Sequence, residues 1–360
     1  MLREGRVADV IYSTVKSFAS KGTIIPRSGL ETLAESRDLE DLATRLKGTV
    51  YSEAVARASR PYSAEKFERA FREYLAKMHY SLIQVSPNPE LLISYYLRHI
   101  VWNLKAVLKG RALNMSFEEV LRHVNLYAEE LMGRRDLIVK AVSAKSLDEA
   151  SNLLKKSEFG EDVNSAVNLY KSKGDIQIFD TFIDRAFYRS VLSSYDRLKK
   201  RRVRRGPSEA PKVRAMVAID VDSYNVLSIL RAKLWGLTIS ETRNLLVEPS
   251  FNLTSKTLER MIATESIDEA AKYLTATPYR RALPVGASGE ELIARLESGF
   301  ELMGYEEALK TFTWQVYGLG VVLGILKLRE LEVRNLSAIA FGVEQGIGFH
   351  QIMSKLTVLA

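Results

Sequence analysis

The sequence has no cysteine, four histidines and nine prolines in 360 residues. The absence of cysteine excludes disulfides, thiolate metal sites, iron–sulfur clusters and cysteine nucleophiles. The histidines, at positions 79, 99, 123 and 350, have no paired or H-E-x-x-H spacing, so packing or surface roles suit them better than metal ligation. No GxxxxGK[ST] phosphate loop occurs. Gly318, Gly320 and Gly324 fall in an apolar stretch from Trp314 to Leu326 that reads as one buried core helix with close helix packing. Gly286-Ala-Ser288-Gly289 lacks the spacing of a nucleophile elbow and reads as a surface loop. No run reaches the ~18 apolar residues of a membrane span. The N-terminal segment carries Glu4 and Asp9 and no continuous apolar core, so no signal peptide is expected.

What is present is apolar and helical. Hydrophobic residues make up 46% and charged residues 27%, a globular balance that leaves little room for disorder. Apolar stripes at i, i+3, i+4 and i+7, such as Leu39, Leu42, Ala43 and Leu46, predict an all-α protein. Strict alternation with turn dipeptides is missing.

A repeat runs through these helices. Segments 30–51, 138–159 and 258–279 align without gaps, at offsets of 108 and 120 residues. Leu39, Leu147 and Ile267 coincide, as do Leu46, Leu154 and Leu274, and then the aromatics Tyr51, Phe159 and Tyr279. Asp38, Ser146 and Ser266 occupy the N-cap position in each copy. Asp41, Glu149 and Glu269 follow three residues later, in capping-box position for the serine copies. Pro278 disfavours helix at Thr277 and helps to end the third copy.

A second motif interleaves with the first. Asp222-x-x-Asn225 through Gly236 parallels Glu332-x-x-Asn335 through Gly346, with a weaker copy around Trp102-Asn103 and a faint one at Asp9–Tyr12. FERAF (67–71) and IDRAF (183–187) add a further echo. Three units of roughly 110–120 residues imply helical modules in a stack or circle. The module boundaries read as 1–95, 96–210 (ending in a basic linker) and 211–360.

The recurrent acids sit at helix starts, where capping accounts for them. Asp222/Asn225 and Glu332/Asn335 lie three apart, on one helical face. They read either as an inter-helix hydrogen-bond network or as an inner binding face, to which Arg231, Lys233 and Arg334 would add positive charge. Net charge is +8, from 52 Lys+Arg against 44 Asp+Glu. Part of that excess falls in one run containing Lys199, Lys200, Arg201, Arg202, Arg204 and Arg205. The run reads as a basic helix end opening into a linker, or as a contact with an anionic surface, whether lipid or nucleic acid. A basic helical-repeat scaffold that binds nucleic acid is therefore the rival reading of the whole chain.

The motifs also carry a family resemblance. Asp220-Val-Asp222-Ser-Tyr-Asn225 with Arg231-Ala-Lys233 and Gly236 resembles the D-x-x-N…R-x-K…G helix of the C subunits of archaeal and bacterial A/V-type ATP synthases, counterparts of the d subunit of eukaryotic vacuolar ATPases. Leu274-x-x-Thr277-x-Tyr279 is similar to that family's L-x-x-T-x-Y unit, which Leu46-x-x-Thr49-x-Tyr51 repeats. Glu332-Val-Arg334-Asn335-Leu336 with Ile339 and Gly342 resembles its C-terminal segment. Phe341 and Val343 depart from it, standing where the family often has basic residues.

The resemblance implies three similar helical modules arranged with pseudo-threefold symmetry as a funnel. It implies a non-catalytic central-stalk component, without cofactor, metal or small-molecule substrate, on the cytoplasmic face of the membrane. The partners it implies are the membrane proteolipid ring and the central shaft, between which the chain would transmit torque for proton-coupled ATP synthesis or hydrolysis. No nucleic-acid partner is expected on this reading.

Overall fold

The computed structural model describes residues 7–200 and 208–358, and all regular structure among them is helical. In chain order come α1 (Val7–Lys21), α2 (Arg27–Ala34), α3 (Leu39–Leu46), α4 (Ser52–Arg57) and α5 (Ala64–Val85). Next are α6 (Glu90–Ala112), α7 (Phe117–Arg122), α8 (Tyr127–Met132), α9 (Arg135–Ser143), α10 (Leu147–Leu154), α11 (Gly160–Lys173) and α12 (Ile178–Lys200). The chain continues through α13 (Ala210–Leu234), α14 (Ile239–Leu245), α15 (Ser255–Ala263), α16 (Ile267–Lys272) and two 3-10 turns (Tyr273–Ala276 and Pro278–Ala282). It ends with α17 (Gly289–Trp314), α18 (Leu319–Glu344) and α19 (Phe349–Met353).

Two compact units divide these helices. One joins the described residues up to Leu92 to those from Tyr305 onward; the other lies within 93–304. In the first, α18 packs against α5, α1 and α2, over a core containing Leu42, Leu46, Tyr51, Phe67 and Phe71. In the second, α12 packs against α11 and α13, and one buried cluster includes Leu258, Met261, Ile262, Leu274, Tyr279, Leu296 and Phe300.

The first repeat is a pair of short helices followed by an aromatic plug. Asp38, Ser146 and Ser266 accept from the N–H groups of Asp41, Glu149 and Glu269 at 2.8, 3.2 and 3.1 Å. The reciprocal half differs from a capping box. The Asp41 carboxylate accepts from Arg37 N, and that of Glu149 from Lys145 N, one residue before the cap in each case. Each copy then ends identically. The hydroxyl of Thr49, Ser157 or Thr277 donates to the carbonyl of Leu46, Leu154 or Leu274 at 2.7–2.8 Å. The same oxygen accepts from the N–H of Tyr51, Phe159 or Tyr279 at 3.1–3.2 Å. This small hydroxyl turn is the physical content of the L-x-x-T-x-Y spacing: it stops the helix and swings the aromatic ring inward. All three rings are at most 1% exposed. Thr277 is extended, as its following proline requires.

The stretch 314–326 is not one buried helix. α17 ends at Trp314, Gly318 takes φ 110°, and α18 begins at Leu319. Trp314 and Val316 are about four-fifths exposed, whereas Leu319–Leu326 are buried. Glycine at 318 supplies a backbone angle that other residues avoid, and so breaks the run. Close packing does hold at Gly324, where a Cβ would lie 2.4 Å from Thr311 Oγ1 and 2.9 Å from the Ala308 carbonyl.

Candidate functional site

Three asparagines organise the long helices α6, α13 and α18. Each binds the backbone of the residue 22 positions further on, through both its amide groups. Asn103 donates to Asn125 O at 2.7 Å and accepts from Asn125 N at 2.9 Å. Asn225 makes both bonds to Val247 at 2.8 Å. Asn335 bonds Thr357 O and N at 2.8 and 3.1 Å. Only an amide side chain offers a donor and an acceptor in this arrangement, which explains the residue type.

The connection from helix to clamp is also shared. Eleven residues after each asparagine stands a left-handed residue: Asn114 (φ 55°), Gly236 (φ 61°) and Gly346 (φ 63°). Around it the N–H groups of Met115, Leu237 and Ile347 reach back to the carbonyls of Gly110, Ala232 and Gly342 at 2.8–2.9 Å. These are Schellman turns. Each is followed by a short helix, α7, α14 or α19, that crosses the end of the long one. Gly110 and Gly342 make room for this crossing: a Cβ at either would come within 2.6 Å of Val120 or Ile352. In the Asn225 copy Ala232 stands at the glycine position, and the smaller Thr242 at the valine or isoleucine position. The faint copy at 9–12 does not belong to this set, since Tyr12, at the asparagine position, is largely exposed.

Three residues before the asparagine the copies diverge together. Asp222 accepts from Tyr279 Oη at 2.6 Å and from the N–H groups of Phe251 and Asn252 at 2.8 and 2.7 Å. Glu332 accepts from Tyr51 Oη at 2.5 Å and from Ile25 N at 2.6 Å. In the remaining copy Ile100 replaces the acid and Phe159 replaces the tyrosine, and both are buried. The hydroxyl is absent where the carboxylate is absent, so neither is stranded without its partner.

Burial governs the electrostatics. It raises the Asp222 pKa above the ordinary aspartate range, opposed by the Tyr279 and backbone hydrogen bonds. It also holds the Tyr51 and Tyr279 phenols far above the usual tyrosine value, assisted by Glu332 and Asp222 respectively. Arg329, fully buried, bonds Glu332, the carbonyls of Ser20 and Thr23, and the Thr23 hydroxyl. Burial works against its charge, but the Glu332 carboxylate and the Tyr51 and Tyr74 phenols outweigh it and leave its pKa raised.

Glu129 belongs to the Asn103 clamp and had no counterpart in the sequence pattern. Its Oε1 accepts from Asn103 Nδ2 at 2.6 Å, whereas buried Oε2 has no partner. Burial pushes its pKa up to about 7 from the ordinary 4.5. A carboxyl raised by folding favours the folded state while protonated, and that gain is lost as pH climbs from about 4.5 through 7. The wild-type chain is therefore expected to lose stability across that window, by roughly 3 kcal/mol. Glu129→Gln, which cannot ionise, should flatten the profile in urea titrations. An unchanged slope would place the titration elsewhere.

The remaining sequence candidates lie apart from the clamps or at their edges. Arg231 pairs with Glu297 at 2.8 Å. Lys233 donates to the carbonyls of Ile262 and Thr264 at the C-terminal end of α15, and burial lowers its pKa. Arg334 bonds Thr357 Oγ1 at 3.0 Å and lies over the Tyr305 ring. Lys199 and Lys200 are exposed at the end of α12, and Arg201, Arg202, Arg204 and Arg205 lie outside the described residues. Of the histidines, 79 and 99 are buried, and 123 and 350 are exposed. Gly286–Ser288 form a loop, with α17 starting at Gly289.

Among the described residues no group of three or more His, Asp or Glu could hold a metal ion, and no helix is long and apolar enough to cross a membrane. A cavity of about 270 Å³ opens beside the third clamp, lined by Ile25, Leu30, Leu328, Leu331, Glu332 and Asn335, with Lys21 and Arg27 also on its wall. It falls just under the ~300–1,000 Å³ of ligand sites. Its one carboxylate is already held by Tyr51, Ile25 and Arg329.

These features define an all-helical repeat protein in which buried asparagines, carboxylates and tyrosines tie the long helices to the segments that follow or pack on them. A model of the ATP synthase (C/AC39) subunit family matches residues 14–355, and the chain belongs to that family. Curated relatives include the C subunits of the A-type ATP synthases of Methanocaldococcus jannaschii (23% identical, covering 98% of this chain and 87% of the relative), Thermococcus kodakarensis (24%; 93% and 87%) and Pyrococcus horikoshii (26%; 92% and 86%).

Proposed function

We propose that the chain is a non-catalytic central-stalk component of a rotary A-type ATP synthase. It joins the membrane proteolipid ring to the central shaft and passes torque between them, on the cytoplasmic face of the membrane and without spanning it. The observation that carries this reading is the triple clamp: Asn103, Asn225 and Asn335 each hold the backbone 22 residues on, in a chain of the ATP synthase C/AC39 family. A torque link needs stiffness more than reactive groups. Buried side chains that tie each long helix to the following crossing segment supply that stiffness.

The three copies are read as three similar modules arranged as a funnel with pseudo-threefold symmetry, within the sequence ranges 1–95, 96–210 and 211–360. The copy on α18 takes its aromatic plug from the opposite end of the chain, since the Glu332 partner is Tyr51. The N-terminal segment thus completes the C-terminal copy. The exposed lysines at the end of α12 fit a position near anionic headgroups. Nucleic acid and small-molecule substrates have no place in this reading.

The test is removal and replacement. Membranes from cells lacking the chain should retain ATP hydrolysis by the head but lose ATP-driven ion pumping. Adding the purified chain back should restore pumping together with a stoichiometric complex. Full coupling without the chain contradicts the proposal.

A further inference from the structure

Helix α1 is built inside out. Its side against the protein carries Ser13, Thr14 and Ser17, all buried, while Val7, Ile11, Tyr12 and Val15 are 55–76% exposed and Phe18 is 38% exposed. An ordinary surface helix shows the reverse pattern. The buried hydroxyls are satisfied locally: Ser13 donates to Val10 O at 3.1 Å and Ser17 to Ser13 O at 2.8 Å. Thr14 Oγ1 accepts from Gly318 N at 3.2 Å and so ties α1 to the break before α18. That break presents Trp314 and Val316, 81% and 79% exposed, beside the same helix. The Phe18 ring also meets Phe312, on the last turn of α17, edge-on at 5.2 Å.

We infer that this face is a docking seam for one amphipathic α-helix of another protein in the same complex, packed in coiled-coil fashion. The inference rests on the rotary-complex reading. Three observations select the occupant. The exposed positions Ala8, Ile11, Val15 and Phe18 are spaced three, four and three apart, which is the a/d repeat of a two-helix seam. With the Trp314–Tyr317 corner, the exposed side chains offer on the order of 1,000 Å² of surface, above the largest patch of most monomers and near the ~800 Å² per partner of a standard interface. A membrane-lying helix would keep a Lys/Arg-rich face toward water. Here the opposite face is instead packed on α18 and carries hydroxyls, and α1 has three charged residues in all, Asp9, Lys16 and Lys21, the last lying over the Phe312 ring.

The absence of cysteine makes the test clean. Single cysteines placed at Ile11, Val15 and Val316 would be labelled with a maleimide in the isolated chain and in the detergent-purified complex. Labelling should be fast in the isolated chain and slow at least ten-fold on assembly, while Lys16→Cys, on the flank, changes less. The double variant Ile11→Glu/Val15→Glu should keep the isolated chain's melting temperature and reduce incorporation at least ten-fold. Unchanged labelling in a complete complex, or normal incorporation of the double variant, overturns the seam and leaves the rotary reading intact. Failure of the wild-type chain to join any rotary complex overturns both. Protection already present in the isolated chain with a doubled mass, or produced by phosphatidylglycerol vesicles alone, overturns it in favour of a second copy or of lipid.

Discussion

Asn225→Leu is expected to lower the unfolding free energy by about 2–6 kcal/mol, because it strands the N–H and C=O of Val247, each at about 1–3 kcal/mol when buried without a partner. Val247 is 1% exposed, so water cannot replace the lost amide. The same substitution at Asn335 should cost about 1 kcal/mol, because its partner Thr357 is only half-buried and water can take over. Urea unfolding of the two variants side by side measures the difference. Equal losses would mean that the amide–backbone bonds are not what holds the crossing segments. Asn225→Asp is a sharper probe: it keeps the acceptor for Val247 N but turns a carboxylate toward Val247 O, and should destabilise more as pH rises.

The second large effect is at Arg329. Arg329→Met keeps much of the side-chain volume but leaves the Glu332 carboxylate buried with only Tyr51 and Ile25 as donors. It also strips the Ser20 and Thr23 carbonyls of their guanidinium donor. Breaking a buried pair by removing one partner costs about 3–5 kcal/mol. Adding Glu332→Gln should recover a large part of that loss, since a neutral amide no longer needs the cation. The coupling is read from a double-mutant cycle in urea. Additive losses would mean that Arg329 acts through packing alone. Because Tyr51 and Glu332 are 281 residues apart, the same variants should also loosen the N-terminal segment, seen as faster amide exchange in α2 and α3.

Local chemistry was legible in the sequence wherever it repeats. The cap residues 38, 146 and 266 act over a few residues, so spacing located them. The threonine-then-tyrosine endings stood out through the family resemblance, and asparagines 225 and 335 through their repetition, although their partners lie 22 residues on. Asn103 was visible only as a weak copy, because Ile100 removes the acid that marks the other two. What escaped depends on contacts made after folding. The partner of Glu332 lies at the other end of the chain, and Arg329 gains its role only when the Ser20–Thr23 segment wraps it. Glu129 joins the Asn103 clamp from a different helix. Hydrophobic content suggested a single helix over 314–326, yet one positive-φ glycine broke it and put Trp314 in solvent. Capping acids were placed correctly, but which N–H they serve depends on how the preceding turn approaches, and spacing does not encode that.

The α1 face is the converse case. Nothing in the spacing of its apolar residues distinguishes it from a core-facing helix, and only the burial of Ser13, Thr14 and Ser17 on the other side exposes the inversion. On the proposed rotor reading, internal clamps and one apolar helix turned outward are what a gripped part would need.

A central-stalk component, as proposed, turns with the rotor. A bead attached through one engineered cysteine at Lys156, an exposed position, in an otherwise intact complex fixed by its head, reports this directly. On addition of ATP the bead should rotate in one direction. A bead that stays still while the same complexes hydrolyse ATP and their shafts turn would place the chain in the stator and contradict a stalk role.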